Sequence, residues 1–289
     1  MALYPTAWED YALLDCGDGQ KLERFGAYTL IRPEPNATWS PVLPRRAWEA
    51  ADAIFQLSAP NRGRWHFRRP LPERWQMGYR ALRFWVAPTP FRHVGVFPEQ
   101  AVHWDWLSER VARAPSPPRL LSLFGYTGLA TLSAAAAGAA VAHVDASRKA
   151  VTWARQNAEL SGLADRPIRW IVDDALKFAA REVRRGVRYD GFILDPPPFG
   201  RGANGELWTF DKAMPQLMAL IRQLLSPSPC CLVITAYTAK MSLARLRRLV
   251  SETLSDYKGE IEAGELGLRQ QSAARTLITA FYVRWRTTS

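Results

Sequence analysis

Four aspartates stand at points where an alternating strand–helix chain would place its chemistry. Asp145 closes the apolar run Ala140–Val144, the pair Asp173-Asp174 follows Ile168–Val172, and Asp195 follows Gly191–Leu194. In an open α/β sheet, ligands bind beyond the carboxyl ends of the strands. A carboxylate at the second of these ends can accept both hydroxyls of a ribose. At the third, Asp173-Asp174-Ala175 can offer a carboxylate to an adenine amino group and a backbone N–H to a ring nitrogen. Each acid could instead cap the helix that follows it or favour that helix's dipole. Taken together, the three positions fit an adenosine-containing ligand better than three separate caps.

Two further motifs share these strand ends. Arg119–Leu123 runs into Phe124-Gly125-Tyr126-Thr127-Gly128, a glycine-bearing turn that can approach a ligand closely and leads into a helix N-terminus. Asp195 opens Asp195-Pro196-Pro197-Pro198-Phe199-Gly200-Arg201-Gly202. Three prolines fix φ and lack N–H donors, so this loop is stiff and holds an acid and a ring at a set distance. It suits a flat base stacked on Phe199.

The elements that must position these groups are legible in the pattern of apolar runs. After Pro115-Ser-Pro-Pro118, strands at 119–123, 140–144, 168–172, 191–194 and 231–235 alternate with helices at 129–137, 147–160, 175–185, 211–225 and 242–254. Ser147 is a candidate N-cap, and Asn157 sits on the same helix, where it could hold a backbone group. This alternation implies a parallel, doubly wound sheet. Segments 261–268 and 276–284 read as a closing pair of strands. The N-terminal third has another texture. Eight of the twelve tryptophans lie at or before Trp106, and prolines punctuate it, so short strands are expected over 21–32, 64–68 and 82–87. A short helix is expected within 44–57 and another over 98–114. The resulting division is a small β-rich, Trp/Arg-rich N-terminal domain at 1–96 and a larger α/β domain at 97–289.

The residues at the strand ends carry a family resemblance. Phe124-Gly125-Tyr126-Thr127-Gly128, Asp145, Trp153–Asn157, Asp173-Asp174-Ala175 and Asp195-Pro-Pro-Pro-Phe199 resemble class I S-adenosylmethionine-dependent methyltransferases. More narrowly they resemble the bacterial large-subunit (23S) rRNA methyltransferases that modify cytosine C5 or guanine N7, over about residues 97 to 285. Phe97-Pro98-Glu99-Gln100 is similar to the segment preceding the catalytic domain in that family; Ser122 departs from it, standing where an Asp or Asn is common. The resemblance implies a Rossmann-like sheet with a reversed last hairpin and S-adenosyl-L-methionine bound around Phe124–Gly128. It also implies ribose on Asp145 and adenine at Asp173-Asp174-Ala175. Asp195, Pro196, Pro197, Phe199 and Tyr237 would face the transferred methyl group, and Phe199, Arg201 and Gln100 would meet the substrate.

One point of chemistry separates the two rRNA reactions. Cytosine C5 needs a thiolate adduct at C6 before it attacks a methyl group. The relatives with that chemistry place a cysteine at the carboxyl end of the fifth strand, where this chain has Ala236-Tyr237-Thr238. Cys230 and Cys231 stand at the other end and read as core residues. Direct transfer to a nitrogen or oxygen is therefore expected, with Tyr237 and Asp195 as positioning groups.

Composition bounds the remaining classes. The chain has 289 residues and a formal charge of +11, which favours a polyanionic partner such as RNA. Three cysteines fit no disulfide framework or zinc spacing, the four histidines have no metal-ligand spacing, and no basic-then-apolar leader opens the chain. No run reaches the roughly 18 apolar residues of a membrane span. A cytoplasmic enzyme without metal or membrane follows as the expectation. Between Arg62 and Arg83, seven arginines oppose one glutamate among interleaved aromatic residues. That stretch reads equally as an RNA-facing surface or as the tryptophan core of a small β domain with arginines stacked on it. A small-molecule or protein methyltransferase with the same cofactor domain is the competing enzyme. A nicotinamide enzyme lacks its G-x-G-x-x-G fingerprint here, and the intact acids argue against a binding protein that has lost turnover.

Overall fold

The computed structural model describes residues 2–6, 8–59, 62–201, 207–237 and 241–288, with backbone alone at Arg62 and Arg201. Contacts group the chain into two compact units, one of Ala2–Val102 with Leu266–Thr279 and one of His103–Glu265 with Ala280–Ser289.

The first unit holds a five-stranded sheet of β1 (Tyr11–Gly17), β2 (Gln20–Phe25), β3 (Tyr28–Pro33), β4 (Ala53–Ala59) and β5 (Arg62–Phe67), in that order. A short helix α1 (Arg45–Glu49) connects β3 to β4, which run parallel; the other neighbours are antiparallel. β6 (Trp75–Tyr79) and β7 (Leu82–Val86) form a separate hairpin. Two expectations are corrected here. The segment 21–32 is two strands, because Gly26 takes φ 62° and turns the chain between them. The helix expected within 44–57 ends at Ala50, and Ala53–Ala59 is a strand. Asp52 fixes this break: its carboxylate accepts the Thr29 N–H at 2.7 Å, and Ala53 and Ile54 then pair with Leu30 and Ile31. The unit's interior contains Trp75, Met77 and Phe84, so part of the aromatic excess is core.

The second unit carries the sheet that positions the candidate site. Its strands are β8 (Arg119–Leu123), β9 (Ala140–Asp145), β10 (Ile168–Val172), β11 (Gly191–Leu194), β14 (Cys231–Ala236), β15 (Gly259–Arg269) and β16 (Thr276–Thr287), the last two continuing into the other unit. The strand order is β10-β9-β8-β11-β14-β16-β15. The first five are mutually parallel, and β16 runs antiparallel to β14. A small hairpin of β12 (Phe199–Arg201) and β13 (Leu207–Thr209) stands apart.

Helices α2 (Ala101–Ala112), α3 (Leu129–Ala136), α4 (Arg148–Leu160), α5 (Ala175–Arg184), α6 (Phe210–Leu224) and α7 (Leu243–Thr253) complete the chain. Side-chain alternation along the strands divides the core between two faces. Leu121, Leu123, Phe192, Leu194, Leu232 and Ile234 pack with α5, α6 and α7. Leu120, Ile193 and Val233 face the other way, onto Leu107 and Val111 of α2 and Ala134 and Ala135 of α3. Every central strand is buried on both faces, which is why each reads as a continuous apolar run. Among the described residues, no helix is long and apolar enough to cross a membrane, and no group of three or more His, Cys, Asp or Glu is placed to hold a metal.

Candidate active site

The β8–α3 turn is built differently from what its glycines suggest. The residues in the left-handed region are Phe124 (φ 58°), Tyr126 (φ 47°) and Gly128 (φ 88°), while Gly125 is not. A non-glycine residue held there costs on the order of 1–3 kcal/mol. Several bonds hold the turn in place. Gly125 N–H donates to Val144 O at 3.0 Å and Gly128 N–H to Gly125 O at 2.9 Å. Tyr126 N–H donates to Asp145 Oδ2 at 2.9 Å, and Asn157 Nδ2 donates to Thr127 O at 2.9 Å. Asn157 and Thr127 are buried, so this last bond clamps α4 to the turn. The glycines serve packing. A Cβ on Gly125 would overlap the His143 ring, and one on Gly128 would lie 2.8 Å from Ala154 Cβ. His143 is fully buried, with Nδ1 2.9 Å from Thr131 Oγ1, and burial pushes its pKa down to about 3, so it packs as a neutral ring.

Asp145 ends β9 directly beside this turn. Its Oδ2 accepts from Tyr126 N–H, and its Oδ1 from Ser147 N–H at 2.8 Å. A carboxylate has about four acceptor sites. Each Asp145 oxygen thus keeps capacity for a hydroxyl donor. Burial raises its pKa, and the two amide bonds pull the other way. A desolvated carboxylate with unused acceptor sites, at the edge of a strained turn, fits a vicinal diol such as the ribose of an adenosine cofactor.

The two acids after β10 are more committed. Asp174 is the N-cap of α5, accepting from Lys177 N–H at 3.0 Å, and is largely buried. Asp173 accepts from Asp174 N–H at 2.8 Å and pairs with Arg181 at 2.6 Å. Capping is therefore real at Asp174, and one bond of a carboxylate's four leaves room for a further donor. Ala175, the first helical residue, is buried beside it.

After β11 the proline loop is pinned by a residue that the sequence reading passed over. Trp208, on β13, donates from Nε1 to Pro197 O at 2.8 Å, and its ring lies 4.6 Å from that of Phe124. Phe210 N–H donates to Pro198 O at 3.1 Å. Two of the three proline carbonyls are thus already engaged within the chain. The signal available in the sequence was a tryptophan just before the helix that follows the loop. Asp195 is half-buried, Pro196 buried and Pro197 half-buried, while Phe199 is 59% exposed on β12. The ring of Phe199 is therefore open to a partner. Tyr237 is half-buried immediately after β14. Arg201's side chain, Gly202 and Thr238 lie outside the described residues. Gln100 is buried in a 3-10 turn, Pro98–Gln100, of the other unit. Cys231 is buried at the amino end of β14, paired with Gly191 and Arg286, five residues from Ala236. That is roughly 16 Å along a strand.

The carboxyl edge of the sheet thus gathers Phe124–Gly128, Asp145, Asp173–Ala175, Asp195–Phe199 and Tyr237, each at a strand end or in the turn that follows it. Comparison with known proteins gives a consistent picture. The chain is 44% identical to the S-adenosylmethionine-dependent methyltransferase of Agrobacterium tumefaciens; the match covers 100% of this chain and 94% of that one, with a TM-score of 0.95. It is 28% identical to ribosomal RNA large subunit methyltransferase K of Neisseria meningitidis over 63% of this chain and 53% of that protein. With ribosomal RNA large subunit methyltransferase I of Aeromonas salmonicida the identity is 30%, over 55% of this chain and 40% of that protein. The chain thus matches about half or less of the length of these two rRNA enzymes. The sequence pattern of the S-adenosylmethionine-dependent methyltransferase family matches residues 54–241, from within β4 to beyond β14. The chain belongs to the S-adenosylmethionine-dependent methyltransferase family.

Proposed function

We propose that this protein transfers a methyl group from S-adenosyl-L-methionine to a base in RNA, with large-subunit rRNA as the substrate. When bound, the cofactor supplies an electrophilic methyl group on its sulfonium. The observation that carries the reading is Asp145, a half-buried strand-end carboxylate whose two oxygens each accept one backbone N–H. In this reading Asp145 takes the ribose hydroxyls, and Phe124–Gly128 wraps the cofactor with its strained backbone. Asp173, Asp174 and Ala175 form the adenine side, with Asp174 accepting from the amino group. Asp195, Pro196 and Pro197 hold the acceptor atom in line, and Asp195 supports proton release from a target nitrogen. Phe199 stacks the base, Tyr237 borders the same edge, and Arg201 serves the substrate. The distance of Cys230 and Cys231 from the carboxyl end of β14 supports direct transfer without a thiolate adduct. The names of the Neisseria and Aeromonas relatives and the formal charge of +11 support an RNA substrate. A cytoplasmic setting follows from that substrate. Incubation with methyl-tritiated S-adenosylmethionine and deproteinised rRNA tests the proposal. Label in an RNA base is the expected result. Label confined to protein or small molecules of a cell extract would move the assignment to a different acceptor.

A further inference from the structure

The N-terminal unit carries an aromatic surface that its core does not use. β5 is the last strand of its sheet, so one side has no strand neighbour among the described residues. Along it, Trp65 and Phe67 share a face, and their rings lie 6.5 Å apart at an interplanar angle of 23°. Trp65 is fixed from behind. Its ring meets buried Phe55 edge-on at 5.4 Å, and its Nε1 donates to Thr89 O at 2.8 Å and to Phe91 O at 3.2 Å. The ring is thus held on the sheet while the loop carrying Phe91 is drawn against it. Phe67 and Phe91 remain 54% and 63% exposed. Two large exposed rings beside a rigid third are an unusual surface for one small sheet.

Cations lie along the same strand and just past its end, with Arg64 on the face opposite Trp65 and Phe67 by strand alternation. Arg64, Arg68 and Arg69 are exposed. Arg64 Nε donates to His66 Nε2 at 3.1 Å, which keeps these two side chains together on the opposite face. Arg69 is 67% exposed and touches Asp52 only at 3.5 Å. Arg68 is anchored to Trp48 O and Glu49 O. Charged residues on an edge strand also prevent strand-to-strand aggregation. That role does not account for two exposed phenylalanines beside them, which work against it. The two rings lie 6.5 Å apart between centroids at 23°, so they present near-parallel faces on which flat bases can stack.

We propose that Trp65, Phe67 and Phe91 form a stacking platform for single-stranded RNA, with Arg69, just past the end of the strand, meeting the phosphates. The proposal rests on the RNA reading above and gives that substrate a docking site in the N-terminal unit. Rings serve bases of any identity because every base has a π-face, and arginines serve the backbone. The platform therefore holds unpaired nucleotides without choosing their sequence.

Fluorescence anisotropy with a labelled single-stranded twelve-nucleotide RNA, and with the same RNA as a duplex, tests it. The Phe67→Ala/Phe91→Ala protein should lose about tenfold or more in affinity for the single strand. Its slope of log K against log salt should stay unchanged, as should its melting temperature and its affinity for S-adenosylmethionine. Arg69→Ala should lower the salt slope by about one, whereas Arg64→Ala, on the opposite face of the strand, should leave it unchanged. A Phe67→Ala/Phe91→Ala protein that binds the single strand as tightly as wild type overturns the platform and leaves the RNA reading standing. Wild-type protein that binds neither RNA overturns both. A wild-type dimer that Phe67→Ala/Phe91→Ala converts to monomer in sedimentation would assign the rings to a second copy of the chain and overturn the proposal.

Discussion

Asp145 joins a cost to a use. Burial raises its pKa, so an ionised Asp145 is held in the folded chain against desolvation and stabilised there by two backbone amides. Hydroxyl donors favour the ionised form. Cofactor affinity should therefore hold at neutral pH and fall as the pH drops through a pKa above the ordinary ~3.9 of a free aspartate. Asp145→Asn should bind S-adenosylmethionine about tenfold to a hundredfold more weakly at pH 7.5, given the ~1.5–3 kcal/mol of hydrogen bonds to charged groups. Its affinity should also be flat across that acidic window. Calorimetric titration at several pH values reads both effects. The acids were legible in the sequence because strand ends are marked by apolar runs that stop at Asp145, Asp173 and Asp195. The backbone of the neighbouring turn was not. A glycine announces freedom, yet Phe124 and Tyr126 occupy the left-handed region, and nothing in their residue types signals it.

The β8–α3 turn works as a clamp among three elements, and its glycines sit at the points of closest approach. Gly125 lies over the His143 ring of β9 and Gly128 over Ala154 of α4, with Asn157 of the same helix tied to Thr127 O. Gly128→Ala would combine a left-handed φ with a Cβ 2.8 Å from Ala154 Cβ. Overpacking of this kind costs about 1–3 kcal/mol. Thermal unfolding should show a fall of several degrees, on the scale of roughly 2–4 °C per kcal/mol for a chain of this size. A Gly128→Ala protein as stable as wild type would contradict the packing role. The parallel strands and their helices were legible because burial on both faces leaves unbroken apolar runs between turn residues. Elements that depend on partners distant in sequence were harder to read. Ala53–Ala59 has a short apolar stretch suited to helix or strand, and its pairing with β3 decides the matter. The β12–β13 hairpin is three residues a side, too short to register as alternation, and Trp208 secures it.

Across the whole chain, charge and chemistry separate. The cofactor motifs lie at the carboxyl edge of the seven-stranded sheet, whereas the densest arginine stretch, 62 to 83, belongs to the N-terminal unit. The family match begins at residue 54, inside that unit, so the part rich in tryptophan and arginine belongs partly to the family pattern. The contribution of residues 266–279 to the same unit could not be read from composition, because it depends on contacts with residues more than 200 positions earlier, such as Leu13 with Gln270. The central claim is that this chain methylates a base of rRNA through the site around Asp145. Mass spectrometry of rRNA nucleosides from a strain lacking the gene tests it most directly. One methylated nucleoside should be lost, then restored by the wild-type chain and not by Asp145→Ala; an rRNA nucleoside profile unchanged by the deletion would contradict the account.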